Sequence, residues 1–358
     1  MPISAVDTIS LAFEHTKRQL FQPFRFWQWT RLAIVGLLAG ELGSGGNIHL
    51  PSNFHPAQHG GAQNPFGLGF PKIDPALLFG LIATIVVTGL IVAIVMLFIS
   101  SVMRFILFDS VLRKECHIRQ GWMARQGPGW NYFLWQVGLT FVTFVAAVIL
   151  LGVPLAGAFS AGWLTHPRDH VPGLVLAGIV VFALLMIFII AVAVVHVLTK
   201  DFVIPQMALE GIGPIEGWRR LWPMLQTEMS DYAIYIVMKI VLAIGAAIAV
   251  GIISVILGLL FAVPVIGVAI AAVIGGKTAG WTWNALTITA AVVAACVLFA
   301  IFMSLISMVS VPVIVFFPAY SIYFFAARYR PLSMALYSPG SAVTTPLPPD
   351  LPPAPAPA

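Results

Sequence analysis

KDFVIPQMALEGIGPIEGWRRLWPMLQTEMSDYAIYIVMK, residues 200–239, lies between two long apolar runs and holds most of the polar chemistry of the second half of the chain. The flanking runs decide the fold class. Residues 75–103, 126–167, 240–276 and 278–327 contain no Asp, Glu, Lys or Arg, and 171–199 adds a fifth run with a single His196. A spanning helix needs about 20 mostly apolar residues, and every one of these runs exceeds that. The whole chain of 358 residues is 60% hydrophobic and 9% charged, against roughly 25% charged in soluble domains. The expected fold class is all-α, a polytopic integral membrane protein.

Within 200–239, Pro214 to Leu225 reads as an interfacial helix. Pro214 suits the first helical position, where its missing N–H costs nothing. Glu216 and Arg220 stand four apart and can pair, for a few tenths of a kcal/mol. Ile215, Trp218, Leu221, Trp222 and Leu225 form one apolar side. Arg219 and Arg220 are expected to face lipid headgroups, at ~1 kcal/mol each on an anionic leaflet. Trp218, Arg219, Arg220 and Trp222 are therefore the candidate lipid-interface residues. Inside the membrane, ionisable side chains are functional candidates by default, and Lys239 and Glu41 are the two singled out. Lys239 lies about 12 Å beyond Asp231 along a helix and can also snorkel back to the interface. Asp109 and Asp201 are placed at the inner interface.

Outward from this segment the chain organises into six spans. Residues 3–21 carry Val6, Ile9, Phe13 and Leu20 at helical spacing, the pattern of an amphipathic helix lying on the membrane surface. PFRFWQWTR (23–31) is an aromatic belt, and a first span covers roughly 26–46. The loop 47–74 follows, rich in Gly, Pro, Asn and His. The other spans are 76–101, 132–163, 173–199, 231–274 and 285–311. Gly152-Val153-Pro154 and Pro264 are expected to break the third and fifth into a long helix plus a re-entrant end. The division is 1–25 as interfacial segment, 26–330 as transmembrane domain, and 331–358 as an extended, disordered Pro-rich tail.

Orientation follows from the basic residues. Of the 18 Lys and Arg, 14 fall in the N-terminal segment, 104–125, 200–220 and 328–330. Positively charged loops stay inside, so both termini are expected on the cytoplasmic side, with 47–74, 164–172 and 275–284 outside. The chain also resembles itself. FILFDSVL (105–112), FVIPQMAL (202–209) and VFFPAYSI (315–322) align, and Tyr132 and Tyr232 open corresponding apolar runs. Three repeated hairpins are the simplest architecture.

The segment PQMALE (205–210) followed by GPIEGWRRLW (213–222) resembles a pattern in the membrane-anchor domain of glycerophosphoryl diester phosphodiesterases and related uncharacterised polytopic proteins of bacteria and archaea. LFQPFRFWQWTRLAIVGLLAGELGSGG (20–46) is similar to the opening segment of those uncharacterised proteins. The resemblance covers roughly 10–330. It implies the membrane fold and a bacterial inner membrane, and it carries no enzyme activity over, since no soluble phosphodiesterase domain follows in the sequence.

Searches for chemistry return little. Gly-x-Ser-x-Gly, His-Glu-x-x-His, phosphate-loop and Cys-x-x-Cys patterns are missing from the sequence. Cys116 and Cys296 have no metal spacing. His49, His55 and His59 sit in a Gly/Pro loop that does not hold helical spacing, and for His166, Asp169 and His170 the prolines Pro167 and Pro172 argue against a regular helix. No catalytic, cofactor or metal residues are expected. The expected function is a non-enzymatic membrane scaffold, anchor or regulatory domain. Its expected partners are the lipid bilayer, anionic lipid headgroups and other membrane proteins, with no nucleic acid. The alternative is a transporter of a small solute that uses the breaks at Pro154 and Pro264.

Overall fold

The computed structural model describes residues 4–41, 75–163, 170–278 and 285–337, and these are all helix, turn or coil. The helices are α1 (Asp7–Phe21), α2 (Phe26–Leu38), α3 (Pro75–Arg113), α4 (Ile118–Ser160) and α5 (Val171–Leu198). A π-turn (Thr199–Val203) joins α5 to α6 (Ile204–Glu210). Then come α7 (Pro214–Thr227), α8 (Met229–Thr278), α9 (Ala285–Val309), α10 (Val311–Ala326) and α11 (Arg330–Tyr337). Among the described residues five helical lengths are long and apolar enough to cross a membrane: Phe79–Arg113, Ile118–Ser160, Val171–Glu210, Met229–Gly276 and Thr287–Ala326.

Two expectations change here. Of the stretch 26–46 expected as the first span, the described residues, which stop at 41, give the 13 residues of α2, about 20 Å at 1.5 Å per residue, short of a ~30 Å hydrocarbon core. It stops because Gly40 takes a left-handed φ of 77°. The Glu41 N–H then returns to Gly36 O and the Gly40 N–H to Leu37 O, the hydrogen-bond signature of a Schellman cap. The expected breaks at Pro154 and Pro264 are also missing. α4 and α8 run through them without interruption, as 43 and 50 residues. A proline deletes one ladder hydrogen bond and crowds one carbonyl, and a long membrane helix absorbs that by local adjustment.

Burial is concentrated at one end of the long helices. On α3 the buried residues lie between Ser101 and Val111, on α4 between Gly129 and Gln136, and on α8 at Tyr232 and Tyr235. Phe105, Phe202 and Val315, which open the three self-similar segments, are all fully buried in this one core. Phe202 packs edge-on to Tyr232 with ring centroids 5.2 Å apart, and Tyr235 stacks on Tyr320 at 5.0 Å. Beyond this core the helices are apolar on all sides. The most apolar stretch of each of the first four long helices buries none of its residues.

α1 docks through the face opposite its apolar stripe. Leu20 is buried, but Val6 and Phe13 are exposed, and the buried face is Ala5, Thr8, Ala12, His15, Thr16 and Gln19. Hydrogen bonds fix it there: Gln19 donates to Ser110 O at 2.9 Å and the Tyr320 hydroxyl donates to Ala5 O at 3.2 Å. A helix among lipid gains nothing by hiding its apolar side, so small and hydrogen-bonding residues take the protein-facing side. Residues 331–337, expected to begin the unstructured tail, form most of α11, whose Leu332 is fully buried. The rest of the tail, the 47–74 loop with its three histidines, and His166 and Asp169 lie outside the described residues.

Candidate functional site

Pro205 lacks the N–H that would bond to the carbonyl of residue 201, and its ring crowds that carbonyl. The ladder shifts there: the Ile204 N–H bonds to Thr199 O, five residues back. Such π-turns are often found at functional sites. This one directs two consecutive residues of opposite charge toward different helices. Lys200 Nζ donates to Glu41 Oε2 at 2.5 Å. Asp201 accepts from Lys239 Nζ and, at 3.0 Å, from the Tyr235 hydroxyl. Tyr235 and Lys239 are one turn apart on α8, so both reach the same carboxylate.

Glu41 arrives by a different route. The Schellman cap of α2 turns the chain at Gly40 and delivers Glu41 into the core, where its side chain is 5% exposed. The end of α2 is held by α3, with Ser100 Oγ and Arg104 Nε both donating to Ala39 O, at 3.2 and 3.1 Å. Arg104 Nη1 also donates to the Tyr132 hydroxyl at 2.7 Å. Tyr132 further accepts from Gln136, and Ser101 donates to Gln136 Oε1 at 2.8 Å. Glu41, Arg104, Lys200, Asp201 and Ser321 line a cavity of about 30 Å³, room for a water molecule. The cluster has two carboxylates and three cations.

The sequence candidates Lys239 and Glu41 thus lie in one polar cluster, each with a partner that sequence reading does not name. Lys239 does not need to snorkel: it is largely buried on Asp201 and 6.0 Å from the centre of the Tyr235 ring. Asp109 is held bidentately by Arg125, at 2.7 and 2.9 Å. The lipid-interface candidates divide. Trp218 is partly buried and donates to Thr199 Oγ1 at 3.0 Å, which ties α7 to the π-turn. Arg220 is held by Glu210 and Glu216, and Arg219 pairs with Glu216 at 3.4 Å. Ile215, Arg219 and Trp222, at positions i, i+4 and i+7 of α7, remain as the outward stripe.

Lys200, Asp201, Arg104 and Tyr132 are the members that sequence reading left out. The available signal was Pro205 five and four residues after an adjacent Lys-Asp pair. Among the described residues no group of three His, Cys, Asp or Glu is placed to hold a metal. His170, the described member of the outer-loop trio, stacks on Trp163.

A family model described as a family of unknown function, DUF7544, matches residues 3–335. No curated protein and no solved structure matches the chain. The family match carries no link to the glycerophosphoryl diester phosphodiesterases.

Proposed function

From the premise that the chain belongs to DUF7544, a family of unknown function, we propose that it is a membrane scaffold or anchor without enzymatic activity of its own. Its apolar helix lengths contact lipid and neighbouring membrane proteins. One observation carries the reading: the most apolar stretch of four of the five long helices buries none of its residues. Surface of that extent is stable only against hydrocarbon or another apolar surface. A transporter instead gathers helices around a site near the bilayer midplane. In the scaffold, the ionic cluster fastens α2, α3, the π-turn and α8 into a firm base, while the apolar lengths meet lipid. The basic bias of the sequence supports a base and two termini on the cytoplasmic side of a bacterial inner membrane. The stripe of Ile215, Arg219 and Trp222 is suited to anionic headgroups there.

The transporter reading is kept because of the cluster. Charged residues inside membranes commonly mark ion or proton paths, and this cluster adjoins a π-turn and a cavity of about 30 Å³. Purified protein in sealed vesicles, loaded with a pH-sensitive dye and a potential-sensitive dye, separates the two. A scaffold leaks no faster than protein-free vesicles under an imposed proton or ion gradient. Flux above that level, abolished by Glu41→Gln, replaces the scaffold with a transporter.

A further inference from the structure

A groove of about 410 Å³ lies between the start of α2 and the turn that joins α3 to α4. Its walls are fixed by two hydrogen bonds across the junction. Gln28 Nε2 donates to Lys114 O at 2.7 Å, and Arg31 Nη1 donates to Cys116 O at 3.3 Å. Arg25, Arg31 and His117 face the groove, with Glu115 as the carboxylate in its lining. Neither arginine has a carboxylate partner within salt-bridge distance among the described residues, whereas Glu115 lies 4.0 Å from the His117 ring. With two guanidinium groups against one carboxylate, the groove carries an excess positive charge. Guanidinium groups favour phosphate oxygens.

The surroundings indicate an amphipathic ligand. Phe24, Phe26 and Trp27 beside the groove are exposed, Trp27 by 74%, as aromatics are at the headgroup level of a bilayer. From the groove a stripe runs along the outer face of α2: Trp27, Arg31, Ile34 and Leu37, all exposed, with Leu32, Val35 and Gly36 buried behind it. Leu37 stands about 9 Å above Arg31 along the helix. A polar, positively charged groove therefore continues into an apolar track.

We propose that this groove binds the headgroup of an anionic phospholipid, with the phosphodiester between Arg25 and Arg31 and an acyl chain along Ile34 and Leu37. The site rests on the membrane reading above and is separate from the stripe on α7. A free phosphate would use the groove alone, whereas a phospholipid uses both parts.

The full chain, purified in detergent, is titrated with phosphatidylglycerol or phosphatidylcholine, and bound lipid is counted by native mass spectrometry. Wild type is expected to retain phosphatidylglycerol at least tenfold more tightly than phosphatidylcholine. The double variant Arg25→Gln/Arg31→Gln is expected to lose that preference, and Ile34→Ser/Leu37→Ser to weaken both lipids. Arg330→Gln, an exposed cation elsewhere, is the control and should behave as wild type, with unchanged melting temperatures confirming that the variants fold. Undiminished preference in Arg25→Gln/Arg31→Gln overturns the site. Displacement of the lipid by millimolar inorganic phosphate, with Ile34→Ser/Leu37→Ser silent, overturns the lipid in favour of free phosphate. Release of the protein from washed membranes at alkaline pH would defeat the membrane reading itself, whereas failure of lipid retention in protein that stays in the membrane defeats only the groove.

Discussion

Replacing Lys239 by Met keeps the length of the side chain and removes its charge. Asp201, whose side chain is 4% exposed, then keeps the Tyr235 hydroxyl as its hydrogen-bond partner and Lys200 as a nearby cation. Removing one member of a buried ion pair costs about 3–5 kcal/mol, because the survivor stays charged without compensation. The reverse change, Asp201→Asn, leaves Lys239, which is 12% exposed and can shift toward water. That loss should be smaller, about 2–4 kcal/mol after discounting the upper value. The double variant Asp201→Asn/Lys239→Met removes both charges, and replacement of a whole buried pair is often neutral, so it should fall within about 1 kcal/mol of wild type. The non-additivity is the signature of a direct pair. Melting followed by Trp emission, in one detergent and at one scan rate, reads it out, since unfolding of such proteins is often irreversible. At roughly 2–4 °C per kcal/mol for a chain of this size, Lys239→Met should lower the transition by at least ~6 °C. Three variants within ~2 °C of wild type, or a double variant no better than the worse single one, would refute the pairing.

Three further outcomes follow from the fold. Pro205→Ala restores a donor, and helix propensity alone favours Ala by up to ~3 kcal/mol; loss of the π-turn should nevertheless lower the melting temperature, and a rise would show that the turn does not hold the cluster. A Cβ on Gly129 would stand 2.6 Å from Val102 Cγ2 and 3.2 Å from its Cα, so Gly129→Ala should cost about 1–3 kcal/mol and be partly rescued by Val102→Ala in the same melting assay. His15 is buried between Val111 O and the Tyr323 hydroxyl, and burial followed by the nearby Lys114 pushes its pKa from 6.5 down to about 4. The unfolded or undocked chain therefore binds the proton first, so stability is fully present above pH 6.5 and declines as pH falls toward 4, by roughly 3 kcal/mol in total. Melting temperatures of wild type and His15→Gln should converge across that window, and parallel curves would count against it.

The long apolar helices were legible because charge is missing from runs longer than a bilayer needs. α7 was legible because Pro214, Glu216 and Arg220 carry local rules of helix start and pairing, and the Glu216–Arg220 pair forms at 3.2 Å. What failed depends on tertiary context. Pro154 and Pro264 read as breaks under rules drawn from helices in water, yet both sit inside unbroken helices. The stripe of Val6 and Phe13 on α1 was legible, but not the contacts of the opposite side, where small and polar residues meet the protein. The Glu41–Lys200 pair joins positions 159 residues apart, and no periodicity or spacing rule reaches that far. Nor does sequence spacing reveal that Glu210, from α6, also reaches Arg220.

The central claim is that the apolar lengths of the long helices face lipid or one another, as where Phe261 stacks on Phe302, and enclose no aqueous path. Spin labels placed singly along residues 176–190, 248–260 and 290–300, in protein lacking Cys116 and Cys296 and reconstituted in bilayers, test it most directly. A lipid-facing scaffold predicts low accessibility to a water-soluble nickel chelate at every position, and high accessibility to oxygen wherever the label does not face a neighbouring helix. A stripe of mid-membrane positions open to the nickel chelate and closed to oxygen, repeating every three to four residues, would contradict it and establish a water-lined pathway.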